Sequence, residues 1–317
     1  MAFYKTLLIF FFVAACAAFD AMAQLSGDYY SSSCPKAESI VRAGVAEALK
    51  NETRNGASLL RMHFHDCFVQ GCDGSILLDD NATFVGEKTA IPNINSIRGY
   101  SIIDDIKGSL ESACPGVVSC ADIVALAARD SVVLMGGPNW EVELGRRDSL
   151  TASKDLANKS IPPPSSDLKA LVTSFSVQGL SFKDMVVLSG AHTIGFSRCT
   201  SFRGHIYGDS KIDPSYTNSL KKICPIKGND DVLASLDFLS PHHFDNSYYT
   251  NLIHKKGLLH SDQVLFDDNS ADSFIQSYAN TPPLFFKDFA DVMVKMSNIK
   301  PLTGKQGEVR KNCRKTN

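Results

Sequence analysis

Long apolar runs are absent after the first two dozen residues, so nothing beyond them offers a membrane-spanning helix. An excess of charge of either sign is lacking too. The net charge is -2 and the sequence pI about 6.4, which removes the electrostatic argument for nucleic acid or an anionic membrane as partner. There is no pair of Cys-x-x-Cys knuckles of the kind that holds structural zinc. Strand signals are few and short, and neither an internal repeat nor a low-complexity block occurs. The late basic residues Arg310-Lys311 and Arg314-Lys315 read as a solvated tail rather than a binding patch.

What is present begins with a leader. Lys5 opens onto an apolar stretch from Thr6 to Phe19, and Ala21-Met22-Ala23 supplies a small-x-small cleavage pattern. The stretch is too short for a bilayer core of ~30 Å. Residues 1–23 are therefore expected to be a signal peptide, leaving Gln24 as the mature N-terminus. Of nine cysteines, Cys16 leaves with the leader. Cys34, Cys67, Cys72, Cys114, Cys120, Cys199, Cys224 and Cys313 remain, an even set that in a secreted chain reads as four disulfides. Spacing leaves on the order of 100 pairings open, and only Cys67 with Cys72 is nearly forced by proximity. The sequons at Asn51, Asn81 and Asn158 predict exposed positions if they carry glycans.

Most of the chain reads as helix. Apolar residues recur at helical spacing over Ser39 to Lys50, Tyr100 to Leu110, Ala121 to Leu134, Leu168 to Phe175, Lys183 to Leu188, Tyr248 to Ile253 and Phe285 to Met296. Gly136-Gly137-Pro138, Pro162-Pro163-Pro164 and Thr281-Pro282-Pro283 punctuate them. The Pro162–Pro164 run predicts a link between an N-terminal and a C-terminal half that share a cleft.

The densest chemistry lies in Arg61-Met62-His63-Phe64-His65-Asp66-Cys67-Phe68. On a helix Arg61 and His65 share a face, whereas His63 points elsewhere and reads as core. A fixed cation beside an imidazole disfavours its protonated form. The pair therefore offers a neutral base next to a positive charge, which suits moving a proton between the two oxygens of a peroxide. Phe64 would wall such a pocket. Just downstream, Asp66, Asp73, Ser75 and the carbonyls of Val69 and Gly71 cluster on a turn closed by Cys67 and Cys72. They could supply the six to eight oxygens that Ca²⁺ takes.

A second segment, Leu188-Ser189-Gly190-Ala191-His192-Thr193-Ile194-Gly195, carries one histidine among small residues that would let a flat macrocycle approach. A ligating histidine normally donates its other N–H to a carboxylate or carbonyl, and Asp262 is a candidate. Thr193, Asp237, Ser240 and Asp245 could form a second oxygen-rich site.

Leu60 to Phe68, with Gly71-Cys72-Asp73-Gly74-Ser75, resembles the distal signature of class III secretory plant peroxidases, and Leu188 to Gly195 resembles their proximal signature. The likeness extends to the eight cysteines, Gly145-Arg146-Arg147-Asp148, the single Trp140 and Leu302-Thr303-Gly304. It implies a mostly α-helical haem peroxidase fold with minor short β, in which a distal half (about residues 24–162) and a proximal half (about 163–317) sandwich one haem b. It implies two Ca²⁺ ions as well. Carried onto matching positions, Arg61 stabilises the transition state, His65 accepts the proton, and Asn93 orients it with Glu87 behind. His192 is the axial iron ligand supported by Asp262, and the Pro162 carbonyl meets aromatic donors. One Ca²⁺ would take Asp66, Val69, Gly71, Asp73 and Ser75, with Glu87 behind them. The other would take Thr193, Asp237, Ser240, His243 (by its carbonyl) and Asp245. The implied disulfides are Cys34–Cys114, Cys67–Cys72, Cys120–Cys313 and Cys199–Cys224, and Gln24 is expected as pyroglutamate.

The activity so implied is reduction of H₂O₂ with oxidation of phenolic donors (EC 1.11.1.7), by an extracellular, cell-wall monomer. Lignin or suberin cross-linking, oxidative stress and defence are its roles in the family. Leu236, Ser240 and Ser165-Ser166 depart from residues common in such proteins, the last near the donor entrance. Two other readings compete: a silent secreted scaffold binding wall polymers, and a zinc hydrolase built on His63 and His65. The intact Arg61, His65, Asn93 and His192 set argues against the first, and the second lacks a third ligand.

Overall fold

In the computed structural model, which describes residues 25–267 and 269–317, every stretch with apolar residues at helical spacing is helical. The leader, Cys16 and Gln24 lie outside the described residues. In the N-terminal half, α1 (Ala37–Asn51), α2 (Arg54–Phe68) and α3 (Tyr100–Ala113) pack on α4 (Cys120–Leu134). Helix α4 is buried almost without interruption from Cys120 to Val132, as expected of a helix apolar on nearly all faces. Ser119 caps it, its hydroxyl accepting from the Asp122 N–H at 3.1 Å. The chain continues through α5 (Lys154–Ser160), α6 (Leu168–Val177), capped by Asp167, and α7 (Phe182–Ser189), opened by a Ser181–Asp184 capping box.

Beyond α7 come α8 (Cys199–Gly208), α9 (Pro214–Ile223), α10 (Ser247–Ile253), α11 (His260–Gln263), α12 (Asp272–Asn280) and α13 (Pro282–Ser297). Proline at the start of α9 and α13 costs no hydrogen bond, because the first N–H groups of a helix have no partner within it. The β content among the described residues is a single antiparallel pair, β1 (Phe196–Arg198) with β2 (Leu233–Ser235), plus isolated bridges.

One apolar cluster runs from Tyr30 to Cys313 and draws on both sides of Pro162–Pro164. A smaller one, including Cys199, Phe202, Ile206, Leu220 and Leu258, lies around α8 and α9. Two charge pairs are set inside the protein. Arg146 Nη1 meets Asp122 Oδ1 at 2.9 Å with both side chains fully buried. Asp122 also accepts from the Tyr30 hydroxyl at 2.8 Å and the Gly145 N–H at 2.7 Å. Asp148 accepts the N–H groups of Cys120, Ala121 and Arg310 and faces the Arg310 guanidinium at 3.7 Å.

The expectation of a solvated basic tail is thereby corrected. Arg310 is fully buried because Asp148 needs a cation in the interior, and Arg314 pairs with Asp104 at 2.7 Å.

Four disulfides join Cys34–Cys114, Cys67–Cys72, Cys120–Cys313 and Cys199–Cys224, the pairing that the resemblance implied. Cys120–Cys313 spans 193 residues, and a link closing so long a loop restricts the unfolded chain most. Replacing both cysteines by serine is expected to lower the unfolding free energy by about 2–5 kcal/mol. Guanidinium denaturation of oxidised wild type and variant measures this, and a difference near zero would contradict it.

Candidate active site

Arg61 and His65 lie one turn apart on α2. The Arg61 guanidinium donates to Ser96 Oγ at 2.7 Å and to the Pro92 carbonyl at 3.0 Å. Burial pulls it down to about 10, far enough above neutral pH to leave a fixed cation. His65 is buried, with Nδ1 2.6 Å from Asn93 Oδ1. The Asn93 amide nitrogen donates in turn to the Glu87 carbonyl at 2.9 Å. A carbonyl can only accept, so Asn93 turns its oxygen to His65 and His65 Nδ1 must carry the hydrogen. That leaves a lone pair on Nε2, for which no protein partner exists among the described residues. Burial first, and Arg61 second, hold the imidazole well below its ordinary pKa, against the smaller opposing effect of the Asn93 bond. Phe64 is half-buried, stands edge-on to His65 with ring centroids 5.2 Å apart, and is backed by Phe68 and Phe175.

His63 belongs to the core, as its place on α2 suggested. Its Nε2 lies 2.8 Å from Ser297 Oγ, and burial depresses its pKa to about 3. The nearby sulphurs of Cys67 and Cys72 are joined as a disulfide, so they supply no thiolate for a zinc site.

Behind α2 the acidic turn is pinned. Cys67–Cys72 closes it, and Gly71 turns with φ +120° where a Cβ would come within 2.4 Å of the Lys300 carbonyl. Asp66 Oδ2 accepts from the Gly74 N–H at 2.9 Å, and Asp73 Oδ1 from the Ser75 N–H at 3.0 Å. Burial raises the pKa of both carboxyls, and Asp73 raises Asp66 further. Glu87 serves both groups through different atoms. Its carbonyl touches Asn93, while its carboxylate is buried beside Asp66 with neither oxygen hydrogen-bonded. Ser75 Oγ is also buried without a partner. Three carboxyls and an unpaired hydroxyl packed together suit a hard, oxygen-binding cation.

His192 lies on the short 3-10 turn Gly190–Thr193 that follows α7. Gly190 is required there, since a Cβ would meet the Tyr249 hydroxyl at 2.4 Å and the Phe285 ring at 2.7 Å. His192 Nδ1 is 2.7 Å from Asp262 Oδ1 on α11. Asp262 also accepts the Tyr248 hydroxyl at 3.1 Å and the Leu259 N–H at 3.1 Å. With Nδ1 donating to an anion, His192 keeps a lone pair on Nε2, again without a protein partner, and its side chain is 35% exposed. Such a carboxylate-backed imidazole is the donor that haem iron takes from below. The set of residues therefore fits haem. Tyr248, fifty-odd positions from His192, left no signal in the sequence, nor did Ser96.

The second oxygen-rich group also converges. Thr193 Oγ1 lies 3.1 Å from both Asp237 Oδ2 and Asp245 Oδ1. Asp237 Oδ1 accepts from the N–H groups of Leu239 (2.6 Å) and Ser240 (3.0 Å) and from Asn251 (2.8 Å). Ser240 Oγ is buried and unpartnered. The His243 ring lies over Gly136, while its N–H donates to the Ser240 carbonyl at 3.0 Å. Pro162 sits half-buried in the α5–α6 connection, Ser165 is exposed and Ser166 buried, and Leu236 is partly buried near Gly195. Asn51, Asn81 and Asn158 are all exposed.

The peroxidase family profile matches residues 41–281. Peroxidase 4 of Vitis vinifera is 58% identical over 297 residues, covering 93% of this chain and 92% of that one. Peroxidase P7 of Brassica rapa subsp. rapa is 56% identical over 93% of this chain and 100% of its own. Peroxidase 70 of Zea mays is 53% identical over 99% and 98% respectively. With a mostly helical fold, two oriented histidines and likeness over nearly its whole length, this chain belongs to the peroxidase family, among the plant class III enzymes.

Proposed function

We propose that the two half-free imidazoles are the working parts of this peroxidase, with Arg61 and His65 acting on H₂O₂ and His192 holding the iron of one haem b. The family implies haem, and when bound it supplies a redox centre that gives two electrons to peroxide and recovers them singly from donors. The observation that carries the reading is that His65 and His192 each give Nδ1 to a fixed acceptor and keep Nε2 free. His65 Nε2 takes the proton from one peroxide oxygen and returns it to the other, which already bears a hydrogen and departs as water. Arg61, held by Ser96 and Pro92, stabilises the charge that grows as the O–O bond lengthens. Phe64 limits the space above, and Asp262 makes His192 a stronger donor.

The donors are phenolic and meet the protein at the Pro162 carbonyl. The distal half, about residues 24–162, and the proximal half, about 163–317, close on the haem. One Ca²⁺ takes Asp66, Val69, Gly71, Asp73 and Ser75, with the Glu87 carboxylate behind. A second takes Thr193, Asp237, Ser240, Asp245 and the His243 carbonyl. The raised carboxyl pKa values and the unpaired Ser75, Ser240 and Glu87 oxygens support both sites. The mature chain starts at Gln24 as pyroglutamate, carries glycans among Asn51, Asn81 and Asn158, and works as an extracellular monomer in wall cross-linking, oxidative stress or defence.

Removing the base while keeping the haem isolates the distal step. His65→Leu is expected to retain the Soret band but lose about 10²–10⁴-fold in the stopped-flow rate with peroxide. A normal rate would sink the assignment. Because burial and Arg61 keep His65 neutral, the wild-type rate should stay level as pH falls through 6.5 and drop only well below it; a midpoint at 6.5 would contradict that environment. Prolonged chelation should lower the melting temperature by several degrees and perturb the Soret band, with recovery on adding Ca²⁺. An unchanged melt would count against both calcium sites.

A further inference from the structure

At the C-terminal end of α8, His205 and Asp209 stand four residues apart, and His260, the first residue of α11, faces them. Nδ1 of His205 and Nδ1 of His260 each lie 2.5 Å from the same Asp209 oxygen, Oδ2. One ligating atom from each of the three residues falls within 4.8 Å of the others. His205 is 4% exposed, and Asp209 and His260 are half-buried.

The second nitrogen of His205 sharpens the picture. Its Nε2 is 3.2 Å from the Gly257 carbonyl, a buried contact. Gly257 is itself held by its N–H donating to Gln263 Oε1 at 3.0 Å. A carbonyl only accepts, so Nε2 bears hydrogen and Nδ1 is the atom turned to the triad. Ring fixation by a remote N–H donating to a backbone carbonyl is the usual support of a metal-ligating histidine. The scaffold is rigid at the other end as well, since Cys199–Cys224 ties the start of α8 to the end of α9 and Phe202 and Ile206 anchor α8 in the smaller apolar cluster.

We propose that His205, Asp209 and His260 form a binding site for a divalent cation of the zinc and copper class, with water completing its coordination. Two imidazoles and one carboxylate suit these borderline ions and not Ca²⁺, which demands six to eight oxygens. On binding, all three side chains turn lone pairs to the cation, and any hydrogen held between Nδ1 and Asp209 passes to solvent. The site is separate from the oxygen-rich groups around Asp66 and Asp237. It shares α11 with the proximal carboxylate: His260 is two residues from Asp262, so a cation there fixes the turn that carries the partner of His192.

Isothermal titration of the haem-loaded enzyme with ZnCl₂, in millimolar CaCl₂ to keep the oxygen sites filled, tests this. One site of micromolar affinity is expected, weakened at least tenfold in His260→Ala and in Asp209→Asn but unchanged in His254→Ala, an exposed histidine outside the triad. His205 is left intact because its burial would confuse loss of a ligand with loss of folding. Cu²⁺ electron paramagnetic resonance gives a second measure: nitrogen hyperfine structure in the wild type that changes in His260→Ala. A Zn²⁺ isotherm identical in wild type and His260→Ala, or no binding up to millimolar Zn²⁺, would overturn the proposal.

Discussion

The buried pairing of Arg146 with Asp122 and of Arg310 with Asp148 is the constraint on which the N-terminal helices rest. A charge taken out of water costs several kcal/mol unless a partner and further hydrogen bonds compensate it. Asp122 and Asp148 satisfy that demand with donors drawn from widely separated segments. Tyr30, Gly145 and Arg146 converge on the first, and Cys120, Ala121 and Arg310 on the second. Both carboxylates belong to α4 or to the segment just after it, so they lock the central helix to its surroundings. Arg310 then reaches on to the Gly74 carbonyl at 2.5 Å, inside the acidic turn behind His65. The placement of His65 is thus continuous with the charge pairs of the interior.

The same donor and acceptor logic governs the two histidines of the site, with opposite results. His65 is backed by a neutral amide and faced by a guanidinium, so with burial its imidazole is held neutral. His192 is backed by an anion that also collects Tyr248 and Leu259, which enriches its ring in electron density. One residue type thereby serves two purposes through the partner at Nδ1 alone.

Much of this was legible in the sequence, for definite reasons. The long helices announced themselves because each buries one face or, for α4, nearly all of its surface. The distal residues were readable because Arg61 and His65 sit one turn apart and the acidic turn follows at once. Helices α5 and α11 are too short to show a period, and α8 and α9 mix glycine or polar residues into theirs. His192 could not be selected from its neighbours, since its partner Asp262 is 70 positions away and the link is made only when α11 packs beneath it. Arg310 was misread for the same reason: nothing near it in the chain reveals that Asp148 waits in the interior. Tyr248 and Ser96 act through spatial contacts of this kind.

Arg310 and Cys313 give the fold a long-range closure. His65 and its partners Asn93 and Arg61 all lie within the first hundred residues, yet the turn behind them is held by Arg310. Asp148 and Cys120 are far in sequence from the cation and the thiol they pair with. Through Arg310 the acidic turn gains its contact at the Gly74 carbonyl, and through Cys313 the central helix gains its disulfide. The pocket's rear wall therefore depends on contacts between residues 162 and 193 positions apart in the chain.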